Sequence, residues 1–163
     1  MTKIKYRNFI SRVAEPNLCG WLAVGFLISG CEKYALDRQM ADLCKKDGGI
    51  KIYQTVVLPP ESFDQWGDPF PGWRGRNTEE RLGPLYRYEW KIIDIKRGDA
   101  LKGEGELKRF EIRIYRRSDG KLLGEGVSFG RSGGDLIAFA HPTSRSCPER
   151  QSESDLIRGV FVR

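Results

Sequence analysis

Eleven uncharged residues, Leu18 to Ile28, separate a basic segment carrying Lys3, Lys5, Arg7 and Arg12 from the small residues Ser29-Gly30 that precede Cys31. That order, positive, then apolar, then small, is the grammar of a secretory signal. Eleven residues are too few to cross roughly 30 Å of hydrocarbon as a helix, so the run reads as a removable signal and not as a permanent span. What is left to fold is residues 31–163, a length that suits one compact domain with its own hydrophobic core. No repeat, low-complexity tract or second apolar span occurs in that part.

Leu27-Ile28-Ser29-Gly30-Cys31 resembles the lipobox of bacterial lipoproteins. The resemblance implies that residues 1–30 are removed, that Cys31 receives a diacylglycerol on its sulfur, and that its freed amine is acylated. Two or more acyl chains anchor stably where one is marginal. Glu32, and not Asp, follows the anchor, which in such lipoproteins is compatible with delivery to the outer membrane, facing the periplasm. Processing also changes what the charge means. The whole chain carries +6, but residues 31–163 hold 24 basic against 21 acidic residues, or +3, and lie outside the cytoplasm. Nucleic acid is therefore set aside as a partner. Cys19 leaves with the signal and Cys31 takes lipid, so Cys44 and Cys147 remain as the pair an oxidising periplasm would join.

Past the anchor, Leu36, Met40, Leu43 and Cys44 recur at helical spacing, and Gly48-Gly49 supplies a stop, so a helix is expected over 33–47. Asp37, Arg38, Asp42, Lys45 and Lys46 are placed on its other faces. So few residues between lipid and helix put the domain close to the bilayer. Alternation over Ile50 to Leu58 predicts a half-buried strand closed by Pro59-Pro60. Tyr86, Tyr88, Trp90 and Ile92 predict a second, with a bulge or strand end near Ile92-Ile93 where the parity changes. Asp119-Gly120 predicts a two-residue hairpin turn between strands 107–117 and 121–129. With Ser118 opposite Lys121, Ile112 faces Val127, Phe110 faces Phe129, and Glu125 falls opposite Ile114 at the rim of the core. Leu156 to Val162 reads as a last strand and Leu136 to Ala140 as a weaker one. The fold class expected is α+β, one N-terminal helix packed on a mostly antiparallel sheet of about four to six strands. This element order resembles cystatin-like and other helix-on-meander folds, and fold analogy supplies no function.

Candidate chemistry is thin. Ser132 and His141, the only histidine, flank Asp135, but no nucleophile-elbow pattern surrounds Ser132, and Gly133-Gly134 reads as an ordinary turn. Glu79-Glu80 and Glu104/Glu106 are near in sequence without implying carboxylates that flank one bond. One histidine and two paired cysteines make no conventional zinc set, so neither a metal, a cofactor nor a catalytic residue is expected.

The segment Phe63 to Arg76 is different, since Trp66, Phe70, Trp73, Arg74 and Arg76 stand among prolines and glycines, too irregular for a helix and too aromatic for a linker. Two readings fit it. One is a contact loop for an envelope protein or a cell-wall glycan, because aromatic faces and arginine forks make good anchors. The other is a lid over the sheet core. The stretch Asp37 to Gly49, with Phe63-Asp64-Gln65-Trp66-Gly67, is similar to proteobacterial periplasmic lipoproteins of unassigned activity; that resemblance implies a compact periplasmic domain and transfers no catalytic residue. The function expected is a membrane-anchored, non-enzymatic binding or scaffolding module. An envelope enzyme acting on wall glycans would instead need two carboxylates or a Ser-His pair to meet in a cleft. An inhibitor of a wall hydrolase or phage component would need a protruding loop.

Overall fold

The computed structural model describes residues 18–135 and 141–163, with side chains from residue 32 onward; residues 1–17 and the expected weak strand at 136–140 lie outside the described residues. Helix α1 (Leu18–Asp47) is followed by β1 (Gly49–Ile52), β2 (Val56–Val57), β3 (Tyr86–Lys96), β4 (Glu106–Arg116), β5 (Leu122–Ser132), β6 (Ser144–Cys147), α2 (Glu153–Val160) and β7 (Phe161–Val162). The fold is α+β. A five-stranded antiparallel sheet runs β3-β4-β5, with β1 and β6 sharing the far edge of β5, and β2 pairs with β7 in a small parallel ladder.

α1 begins well before residue 33, with no proline after Pro16 to stop it, and lays Leu36, Met40 and Cys44 on Leu107, Val127 and Phe129 of one sheet face. Asp37 was placed on an outer face, but it turns inward to the buried Arg131, Nε to Oδ1 2.8 Å. On the other sheet face α2 and the segment 60–82 build a second core of Trp73, Leu82, Tyr86, Tyr88, Ile114, Leu123 and the α2 side chains.

Of the strand expected at 156–162, residues 156–160 form α2 instead, and Phe161–Val162 remain extended as β7. Ser152 and Asp155 form a reciprocal capping box, and Leu156, Ile157 and Val160 then share one helical face, all buried. Each such side chain contributes about 1.5–3 kcal/mol on leaving water. The helix can lie this close because β5 presents Gly124, where a Cβ would stand 2.7 Å from Val160 Cγ2 and 3.1 Å from Leu156 Cδ1.

The expected register also needs correction. Ile112 faces Gly126 and not Val127, Phe110 faces Ser128 and not Phe129, and Glu125 faces Arg113 and not Ile114. Two local events cause the slip. The loop takes four residues, 117–120, because the Arg117 N–H and guanidinium turn away to the carbonyls of Leu85, Tyr86 and Glu79, leaving the Arg116 N–H to meet the Lys121 carbonyl. Gly120 fits its left-handed position there, at φ 68°. A bulge at Leu123 then sets two residues against Ile114 and swings Leu123 into the α2 core. The strand expected over 50–58 is broken at 53–55, where the N–H groups of Tyr53 and Gln54 both donate to the Leu123 carbonyl. In β3 the bulge falls between Asp94 and Lys96, later than expected.

Candidate contact surfaces

The residues that follow Cys31 along α1 are fastened to the domain. Glu32 forms an ion pair with Lys96, whose ammonium also donates to the Gly105 carbonyl at 2.7 Å, and the Gly105 N–H returns to Glu32 at 3.3 Å. The Lys96 hydrogen bond, above all, holds the Glu32 carboxyl below the usual range. Lys33 meets Asp135 at 3.1 Å. Burial raises the pKa of Asp135, but the Thr143 hydroxyl at 2.7 Å, the Thr143 N–H at 2.8 Å and Lys33 outweigh it and hold it at about 2. One turn on, Arg131 spans Asp37 and the carbonyls of Gly133 and Thr143. At the far end of the helix Cys44 and Cys147 stand in disulfide-compatible geometry, Sγ to Sγ 1.97 Å and Cα to Cα 6.0 Å, joining α1 to β6.

The aromatic segment divides. Asp64 accepts the N–H groups of Trp66 and Asp68, closing a tight turn that leaves Trp66 73 % exposed. Phe70 packs edge-on against Phe161 and Tyr86, with centroids 4.8 and 5.9 Å away. Trp73 is 3 % exposed, with the Arg74 guanidinium 4.6 Å from its ring centroid and that of Arg81 5.8 Å away. Arg74 is pinned by the buried Asp68 at 2.9 Å and by Ser154 at 2.7 Å, and Arg158 holds the other Asp68 oxygen at 2.6 Å. Those guanidiniums, Arg158 first, hold the Asp68 carboxyl below its ordinary range. Arg76 donates to the Pro71 carbonyl. Phe70 and Trp73 are thus core lids, while Trp66 turns outward and Arg74 and Arg76, though they fasten the loop, remain exposed.

The larger exposed apolar surface lies elsewhere. Trp90 and Ile92 of β3 are 56 % and 46 % exposed and stand beside the half-buried Ile112 and Phe110 of β4. Beyond them β5 offers Gly126, Ser128 and Gly130, next to a shallow cavity of about 50 Å³ that reaches Ile50 and Ser152. The alternating pattern of β3 reads as a buried face; what betrays the exposure is the row of small residues across the sheet, which supplies no bulk to cover it. The reverse face past α1 carries the cross-strand row Glu89, Arg113, Glu125, Lys51. Glu125 accepts from the Tyr53 hydroxyl there at 2.7 Å, and Glu111 sits buried between Arg109 and Arg113.

The candidate catalytic groups do not converge. Asp135 is engaged by Lys33 and Thr143, His141 is exposed, and no hydrogen bond joins Ser132, Asp135 and His141 among the described residues. Glu104 binds the Asp99 N–H while Glu106 pairs with Lys108. The Glu79 carbonyl accepts from Arg117, and the Glu80 N–H is capped by Asn77. Among the described residues no three His, Cys, Asp or Glu side chains gather where a metal ion could sit, and no helix is long and apolar enough to cross a membrane. Comparison with protein-family models, with curated proteins and with solved structures gives no match.

Proposed function

We propose that this chain is a lipoprotein of the bacterial cell envelope, tethered through lipid on Cys31 to the outer membrane and facing the periplasm, where it acts as a non-enzymatic binding or scaffolding module. The lipobox-like order of residues 27–31 supports the tether. The observation that carries the reading furthest is the fastening of Glu32, Lys33 and Asp37 to the loops around Gly105 and Gly133. A chain gripped within a few residues of its anchor holds its domain against the bilayer in a defined pose and not on a free stalk. A Cys44–Cys147 disulfide suits the same compartment. Trp66, on a turn pre-ordered by Asp64, is the ring of the aromatic segment open to an envelope protein or a wall glycan, with the exposed Arg74 and Arg76 in the same segment.

Metabolic labelling with a fatty acid tests the tether. The parent chain is expected to take up label and fractionate with membranes, and Cys31→Ser to do neither; label retained by Cys31→Ser would refute the proposal.

A further inference from the structure

β3 ends the sheet on one side. Eleven residues long, it pairs along one edge only, with β4, and among the described residues no backbone hydrogen bond links 87–96 to any other segment. In an antiparallel strand, alternate residues turn both N–H and C=O outward, so this edge presents a row of unmet donors and acceptors, a template for another strand. No proline breaks it, its bulge comes only after Asp94, and its middle carries the exposed Trp90 and Ile92.

We propose that β3 is a dimerisation edge, pairing antiparallel with β3 of a second copy of this chain about a two-fold axis at Trp90. Only registers that set residues of one face against each other keep the pleat in phase, which leaves an axis on Tyr88, Glu89, Trp90, Lys91 or Ile92. An axis on Glu89 opposes that carboxylate to itself and sets Arg87 against Lys91. An axis on Lys91 opposes two ammonium groups. An axis on Ile92 places Trp90 against Asp94, and one on Tyr88 carries Ile92 past the strand end to Pro84. The axis on Trp90 sets Glu89 of each copy against Lys91 of the other, Tyr88 against Ile92, and Trp90 against itself. Both charged pairs are then opposite in sign, and the apolar row Ile112-Trp90 continues unbroken into the second copy. A two-fold axis normal to the sheet also leaves both α1 helices on one side, so two tethered copies can share one bilayer.

Sedimentation of the full chain in mild detergent over a wide concentration range tests this, with Glu89→Lys, Lys91→Glu and the double swap. The parent is expected to show a monomer–dimer equilibrium. Each single variant turns two attractive cross-strand pairs repulsive and should raise the dissociation constant about tenfold. The double swap should restore it to within about twofold of the parent, since the attraction is then re-made with signs exchanged. Within one chain, Glu89 pairs with Arg87 and faces Arg113 while Lys91 faces Glu111, so each single variant carries its own intrachain cost, the double swap carries both, and neither cost can produce the rescue. A chain that stays monomeric at hundreds of micromolar, or a double swap no better than the singles, overturns the proposal.

Discussion

Replacing Trp73 by Ala and, separately, Trp66 by Ala should give sharply different melts, because the short segment 66–73 holds one ring in the core and one in water. Trp73 is 3 % exposed and closes the core over Leu82, Tyr88 and α2. Truncating a buried aromatic of this size costs about 3–5 kcal/mol in lost transfer energy and residual cavity. The Arg74 guanidinium over its face, with half of the arginine in solvent, adds about 0.5–1 kcal/mol. No hydrogen bond is lost, since Trp73 Nε1 has no partner among the described residues. With both contributions, and at about 4 °C per kcal/mol for a domain of this size, Trp73→Ala should lower Tm by about 14–24 °C. Trp66 is 73 % exposed, and its replacement should stay within about 0.5 kcal/mol, or 2 °C. Thermal denaturation followed by circular dichroism reads both, with capture of envelope proteins or wall glycan run beside it. Loss of capture in Trp66→Ala with an unchanged melt assigns contact to the turn. A Trp73→Ala melt within about 3 °C of the parent, a margin well below the roughly 14 °C expected, would refute the packing argument.

Three further outcomes are expected. Reduction of Cys44–Cys147, which closes a loop of 103 residues, should cost about 2–4 kcal/mol, and peptide mapping without reductant should recover the two segments linked; two freely alkylated thiols would contradict this. Asp37→Ala leaves the buried Arg131 charge without its carboxylate and should cost about 3–5 kcal/mol in denaturant titrations, of which Asp37→Leu with Arg131→Met should recover only part, because the Gly133 and Thr143 carbonyls then lose their donor. Asp135 has a folded pKa of about 2 against 3.8 in the free side chain, so its contribution, about 2 kcal/mol at most, is present above pH 4 and lost as pH falls through 2. Asp135→Asn should flatten that part of the acid limb, and an unchanged slope between pH 4 and 2 would count against the Thr143 and Lys33 bonds.

What the sequence discloses follows from how local each signal is. The packed face of α1 is legible because Leu36, Met40 and Cys44 repeat at 3.6 residues whatever they meet. The hairpin is legible but its register is not: Arg117 leaves the ladder for carbonyls some thirty residues away, which no local pattern records. α2 was open to a better reading, since Ser152-x-x-Asp155 announces a helix start, but the apolar run at 156–162 masks it. Trp66, Trp73 and Trp90 look alike in the chain. Their fates are set by distant partners: Tyr88 and the α2 side chains in the core with Trp73, and the glycines of β5 across Ile112 from Trp90.

The tether on Cys31 is tested most directly by the mass of the N-terminal peptide of protein extracted from membranes. A peptide that begins at Cys31 and carries a diacylglycerol and an acyl chain is expected. An unmodified peptide that still includes residues 1–30 would contradict it.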